Sequence, residues 1–441
     1  MGNIKICKKR MAARDFQNNH PNYFEKFHAT VFLVFCVLAA MHPLQYGVNA
    51  QERAPCVEKI TLSELRAKVL SGSPLTAAID RRYAYELASA LEKEVLLNPE
   101  LQAEHTYTGM RLGGADDPQA QVSLGMPIRL SDFGSRDRVA ALMRKAAEAQ
   151  KGADLLELLT RLKVSYLNLL SLQQLEKVVL DSSRLVTEQM KLVEDGVRKG
   201  LFSKGEEELF RGEAGRLRAQ LLDIRSEVAA AQETLAQQTL SQCALVADGA
   251  ESSGEISPIE ALIERARTSE IGLNHRIELA NKLSQARHEM SEDDAFPAIS
   301  PRLVYQHTND GGDFLGVGIA IPLPLFNRNQ GERARAAADE GAARVDRRSV
   351  EGELLAHRIS LMRSAVVAKR EGAEEYTRRV VPSFDSALRA QMQLYMSGKG
   401  NVMQVWQMLR ELTAVKSEAV QRVVAAEIAR AQLSVMVGEE L

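Results

Sequence analysis

The chain has 441 residues and a formal net charge of -2 at pH 7, so it has no basic excess to draw it to nucleic acid or another polyanion. Hydrophobic residues make up 45% but aromatic ones only 5%. That apolar content, mostly Ala, Leu and Val, suits long helices better than a thick globular core.

Lys8, Lys9, Arg10 and Arg14 precede an apolar stretch from Ala29 to Met41, and Val48-Asn49-Ala50 supplies a small-x-Ala cleavage pattern. Residues 1–50 are therefore read as a signal peptide for export, with a mature start near Gln51 and Met11 as an alternative initiator. The stretch is short for a permanent membrane helix; an uncleaved anchor or a buried helix is the competing reading. No later segment approaches spanning length, so any membrane insertion must use strands. Cys7 and Cys36 would leave with the signal. Cys56 and Cys243 remain, without metal-ligand spacing, and both a disulfide and a pair of free thiols are open to them. Lipidation of Cys56 is disfavoured, because Arg53-Ala54-Pro55 lacks the apolar residue expected three positions ahead.

Downstream the chain repeats itself at a period of about 200 residues. The first repeat, 51–246, holds strands at about 100–108 and 119–129 and a long helical hairpin over 132–245. A polar linker, 247–257, leads to the second, 258–441, with strands at about 300–308 and 314–324 and a hairpin over 327–437. Pro99-Glu100-Leu101 aligns with Pro301-Arg302-Leu303, and each opens an alternating segment. A Gly- and Asp-rich loop follows, then a second strand with two-residue alternation: Val122, Leu124, Met126 and Ile128, and again Val317, Ile319, Ile321 and Leu323. Ser123, Gly125, Gly318 and Ala320 fill the other face. One greasy face and one small, non-greasy face are what a strand between lipid and a lumen requires; a hairpin on a soluble core is the plainer alternative.

Breaker clusters at Ser131-Asp132-Phe133-Gly134 and Pro322-Leu323-Pro324 end these strands, and long helices begin. The first, from about Asp132 to Asp195, carries Leu155, Leu158, Leu159, Leu162, Tyr166, Leu169 and Leu170 on one stripe. Its span is roughly 95 Å at the usual rise. The second runs from Asn327 towards Tyr395, with Pro382 expected to bend it. Glycine-marked reversals at Gly196–Ser203 and Ser397–Asn401 return the chain through helices reaching about Leu245 and Val437. Two shorter helices, from Pro258 to Glu289, correspond to Thr61–Leu96 in the first half.

Four strands cannot close a barrel, whose smallest membrane form has about eight, so several copies must share one. Packed around the same axis, the hairpins would prolong it as a hollow helical tube. The run from Gly318 to Gly331, GIAIPLPLFNRNQG, together with Tyr395 and Gly398 and with Gly200-Leu201 ahead of Ser203, resembles the TolC-like outer-membrane efflux proteins, and the run itself is similar to their CzcC-type heavy-metal branch. The likeness covers essentially the whole mature length. It implies an α+β fold of mainly long α-helical hairpins: a trimeric duct with a shared twelve-stranded outer-membrane β-barrel, four strands per protomer, above a periplasmic α-helical barrel. It further implies the channel component of a tripartite resistance-nodulation-division system exporting heavy-metal cations. The expected partners are two further copies of the chain, a periplasmic adaptor protein, an inner-membrane proton-driven pump and outer-membrane lipid.

On that resemblance Gly200, Leu201, Ser203, Tyr395 and Gly398 form the periplasmic tip that meets the adaptor. Acidic residues narrow the tip in some members of the family. Here Gln404 and Gln407 follow the second reversal, which leaves Glu206 as the candidate for a ring of carboxylates; the alternative is that Glu206, Glu207 and Glu208 form the solvated first turn of a helix. His105, His275, His288, His307 and His357 are scattered, and no motif for catalysis, a cofactor or a metal is found. His105 and His307 share equivalent strand positions, with a luminal placement open to them and a repeated structural role the plainer reading. Trp406 is read as packing against a neighbouring helix. A periplasmic coiled-coil adaptor or scaffold, or a channel for organic compounds, are the competing functions; an adaptor would not need a repeated lipid-facing strand.

Overall fold

The computed structural model describes residues 56–106, 119–249, 254–308, 311–350 and 353–441, all within the compact unit Pro55–Leu441. The signal peptide assigned to 1–50 lies outside the described residues, as do the first interstrand loop and part of the linker.

The chain opens with strand β1 (Val57–Ile60) and helices α1 (Leu62–Gly72) and α2 (Pro74–Glu94). Strands β2 (Glu100–Thr106) and β3 (Gln119–Gly125) lead through a short 3-10 turn at Leu130–Phe133 into helix α3 (Ser135–Arg198). The long helix thus starts at Ser135 and not at Asp132, because Gly134 takes a left-handed φ of 119° and separates the two turns. Helix α3 has 64 residues and no internal proline, so nothing interrupts its hydrogen-bond ladder over about 95 Å.

Helix α4 (Lys204–Thr239) returns, but it stops short of the expected 245. Leu240 adopts φ 52°, and the residues after it form strand β4 (Ala244–Ala247), which pairs parallel with β1. Ile60, Leu245 and Ala247 of this small sheet are buried. Ala247 therefore belongs to a strand and not to the linker. A four-residue strand flanked by polar residues has too little alternation to be read from sequence. Of the two states open to Cys56 and Cys243, the structure contains the disulfide, with a Cα–Cα separation of 4.8 Å.

The second repeat follows the same plan with helices α5 (Ile259–Thr268) and α6 (Leu273–Asp293) and strands β5 (Ser300–Thr308) and β6 (Asp313–Ala320). Its long rising segment is divided into α7 (Gln330–Val350), α8 (Glu353–Glu375), a π-helical turn at Tyr376–Val380 and α9 (Val381–Met396). Pro382 sits in the first turn of α9, where its missing N–H costs little, and the irregularity falls in the π turn just before it. Helix α10 (Val402–Val437) returns. One core runs from Leu65 and Val69 of α1 through Tyr166, Phe210 and Leu217 to Leu388, Val405 and Leu409, joining both hairpins.

Strands β2, β3, β5 and β6 form one antiparallel sheet in that order. The β3–β5 ladder continues beyond Gly125 through Met126 N–H to Pro301 O (3.1 Å) and the bridge between Ile128 and Ile299. The sheet lies at one end of α3, and the chain reversals lie at the other.

Candidate functional site

The register sorts the sheet into two faces. Leu101, Leu124, Leu303 and Val317 stand in one row, and Ala103, Val122, Tyr305 and Leu315 in the next. Most of this face is open, with Val317 89% exposed. Ile319, Ile321 and Leu323 extend it and are also exposed, as is Met126, whereas Ile128 is half-buried beside Ile299. The opposite face is mainly polar and carries Gln102, Glu104, Gln121, Ser123, Arg302 and Gln306, with Val304 and Phe314 among them; Arg302 donates to Gln102 Oε1 at 3.2 Å. Sequence reading placed only the second strand of each pair on the lipid side. Leu101, Leu303 and Tyr305 of the first strands share that face through pairing, and their own alternation was the signal for it.

His105 and His307 fall in one row with Ala120 and Asp313, on the apolar face and not on the polar one. They cap that face at its loop end, where Asp313 Oδ1 lies 2.8 Å from His307 Nδ1 and accepts from the Tyr305 hydroxyl at 2.7 Å. At the opposite end, where all four strands meet the helices, Leu130, Phe133, Phe296, Leu325 and Phe326 are exposed, Phe326 by 91%.

Below that end an ionic joint ties the repeats together. Arg129 donates to Asp132 from its backbone and its guanidinium, both at 2.9 Å, while Arg136 reaches Asp294 at 3.0 Å and Ser131 Oγ at 2.8 Å. Burial alone would raise the Asp132 carboxyl, but these hydrogen bonds and the charges of Arg129 and Arg136 outweigh it and hold the group below the usual carboxylate range.

The two chain reversals share one geometry. Gly200 N–H donates to Val197 O and Leu201 N–H to Gly196 O; Gly398 N–H donates to Tyr395 O and Lys399 N–H to Leu394 O. Both are Schellman closures, with Gly200 and Gly398 each at φ 72°. The next helices are capped at equivalent places, by Ser203 and by Asn401. Glu206 and Gln404 are therefore counterparts. The Glu206 carboxylate accepts from Ser203 N at 2.8 Å, completing a capping box, and Glu207 and Glu208 both pair with Arg211. Glu206 and Glu207 lie in the first turn of α4, and Glu208 follows it. Gln404 and Gln407 are exposed on the first turns of α10.

The tips also touch. The Phe202 and Tyr395 rings stack with centroids 5.4 Å apart, and Gly196 leaves the space that Phe202 fills, since a Cβ there would lie 2.0 Å from the ring. Burial, and then the nearby Glu206 charge, push the Tyr395 hydroxyl pKa up. Leu201 is 70% exposed beside them. Phe202 went unremarked in the sequence because its partner is almost two hundred residues away. Trp406 is partly buried against the same core, with the Arg410 guanidinium 5.7 Å from its ring centre.

Among the described residues no helix is long and apolar enough to cross a membrane, and no group of three or more His, Cys, Asp or Glu side chains could hold a metal ion.

No family model matches the chain. It is 24% identical over 338 residues to the cobalt-zinc-cadmium resistance protein CzcC of Cupriavidus metallidurans, covering 73% of this chain and 76% of CzcC. Its fold is similar to that of the outer-membrane protein VceC of Vibrio cholerae, with a TM-score of 0.69 and 17% identity over 86% of this chain and 96% of VceC. It is also similar to CusC, whose structures describe transmembrane channel formation, with a TM-score of 0.68 and 16% identity over 86% of this chain and 92% of CusC.

Proposed function

The chain has the fold of the TolC-like outer-membrane efflux channels, and from that premise we propose that it is the outer-membrane channel of a tripartite resistance-nodulation-division efflux system, a conduit and not an enzyme. The observation that carries this reading is the four-stranded sheet with one exposed apolar face and one polar face, set at the root of two long helical hairpins. A sheet with two open edges leaves β2 and β6 unpaired, and in lipid such edges must be closed. Three copies joined edge to edge give twelve strands, comfortably above the minimum of about eight. Strand β5 has 9 residues, the length a tilted strand needs to cross a bilayer, about 9 to 11.

On this reading Val122, Leu124, Met126, Ile128, Val317, Ile319, Ile321 and Leu323 meet lipid, and Phe133, Phe296 and Phe326 mark the periplasmic boundary of the bilayer. Gly200, Leu201, Ser203, Tyr395 and Gly398 meet a periplasmic adaptor, behind which an inner-membrane proton-driven pump supplies the energy. Glu206, Gln404 and Gln407 ring the closed end of the tube, and Glu206 can serve there while capping its own helix. Divalent heavy-metal cations are the proposed cargo, supported by the likeness to a cobalt-zinc-cadmium resistance protein.

The test is fractionation of cell membranes with unheated and heated samples compared side by side, followed by growth of a deletion strain on cobalt, zinc and cadmium. A heat-labile trimer in the outer membrane and a metal-sensitive deletion strain are expected. A soluble periplasmic monomer would overturn the channel in favour of an adaptor, and unchanged metal tolerance would overturn the cargo.

A further inference from the structure

The two repeats are closed at their base in two different ways. In the first, Cys56 lies ahead of α1 and Cys243 beyond the end of α4, and the disulfide joins them. The strands it leads into, β1 and β4, pair over only four residues each. In the second repeat Gly254 lies ahead of α5 and Leu441 beyond the end of α10, in the matching places. There one guanidinium spans the gap: Arg430 donates to Gly254 O at 2.5 Å and to Leu441 O at 3.1 Å. Ser269 Oγ donates to Gly438 O at 2.8 Å and Arg370 donates to Gly254 O at 3.2 Å, which secures the same junction.

We propose that the Cys56–Cys243 bond is the covalent counterpart of the Arg430 clasp, installed by a thiol–disulfide oxidant after export and required for a closed first repeat. Where Arg430 gathers a carbonyl from each side of its gap, the first repeat has the disulfide in that place; the Tyr166 hydroxyl donates to Asp248 O at 3.1 Å and Gly249 O at 2.8 Å, both on the β4 side, and four parallel pairs are too few to hold an end on their own. The bond spans 187 residues of sequence and so encloses the first sheet pair and the whole first hairpin. A loop of that size loses much entropy when fixed, which is where a cross-link acts most strongly. In the installing reaction the thiolate of one cysteine attacks the oxidant's disulfide to give a mixed disulfide. The second thiolate then displaces the oxidant, leaving the protein disulfide and the oxidant as a dithiol that carries the two electrons and two protons. An oxidising compartment is needed, so the inference rests on the exported, outer-membrane reading.

The first test is alkylation with a polyethylene-glycol maleimide. Membranes are prepared with free thiols blocked and the trimer is isolated, then denatured and labelled with and without reduction. Two additional labels after reduction are expected. Free Cys56 and Cys243 in an outer-membrane trimer would overturn the clasp and leave the channel reading intact; free thiols in a soluble protein would overturn both. The second test is limited proteolysis of the assembled wild-type trimer. Reduction should speed cleavage within 240–249 by about tenfold, as local opening predicts, and leave cleavage near 438–441 unchanged, while Arg430→Gln should do the reverse. Equal rates at the two sites under both changes would overturn the equivalence. In cells lacking the periplasmic dithiol oxidant, trimer yield should fall and added cystine should restore it; an undiminished yield of trimer with unoxidised cysteines would overturn the requirement.

Discussion

Gly200 and Gly398 both hold φ at 72°, a conformation that costs an L side chain roughly 1 to 2 kcal/mol. Neither has an atom within 4 Å of its missing Cβ, so a substitution there strains the backbone without disturbing the bundle. Gly200→Val or Gly398→Val should therefore leave trimers intact while weakening efflux, measured as metal tolerance at matched expression; unaffected tolerance would remove these residues from the adaptor contact. Asp132 makes a separate prediction. Its side chain is 6% exposed and its folded pKa is depressed, so its contribution to stability is complete above the unfolded value of about 3.9 and is lost as pH falls through the lower folded value. Asp132→Asn should cost about 1 to 3 kcal/mol near neutral pH, because the charge-assisted hydrogen bonds from Arg129 are weakened and the ion pair with Arg136, 3.6 Å away, is lost. The variant should also show a shallower loss of stability below about pH 4 than wild type, read from acid-unfolding curves.

At the scale of the element, the sheet is governed by its period of two. Leu124→Arg or Ile319→Arg puts a charge on the exposed apolar face, at a cost of roughly 2 to 4 kcal/mol at mid-depth in lipid. Each should block outer-membrane assembly, and normal trimer levels in heated and unheated gels would refute the lipid-facing assignment. The same substitution at Ser123 or Gln121, on the polar face, should be tolerated better, although Ser123 is itself buried. Among the helices, Phe202→Ala removes the ring stacked on Tyr395, a contact worth about 0.5 to 1.5 kcal/mol beyond its buried area. It should loosen the two hairpin ends relative to one another, seen as faster hydrogen exchange at 195–205 and 393–403 with the sheet unaffected.

For the whole molecule, the consequence is dependence on copy number. A four-stranded sheet with two open edges is no finished barrel alone, so assembly, membrane insertion and transport should be lost together when the edges are blocked. Proline in the middle of β6, for instance Val317→Pro, should abolish trimers through a lost ladder bond. The hairpins, whose core joins α3 and α4 to α9 and α10 within one chain, should keep their helical signal.

Much of this was legible in the residues. The repeat, the alternation of Val122, Leu124 and Met126 against Ser123 and Gly125, the long stripe through Leu162 and Leu169, and the paired reversals at Gly200 and Gly398 are all local periodicities or backbone requirements. Such features are written wherever a segment's own neighbours determine its state. What joins distant segments was not. The β1–β4 pairing, the choice of a disulfide over free thiols at Cys56 and Cys243, the face taken by His105 and His307, the stack of Phe202 on Tyr395 and the Arg430 clasp each depend on residues far apart in the chain. The sequence by itself determined the elements and their repetition, through hydrophobic period and turn chemistry. Only the tertiary structure decided how the two repeats are fastened, because those contacts exist only once the folded chain has brought their partners together.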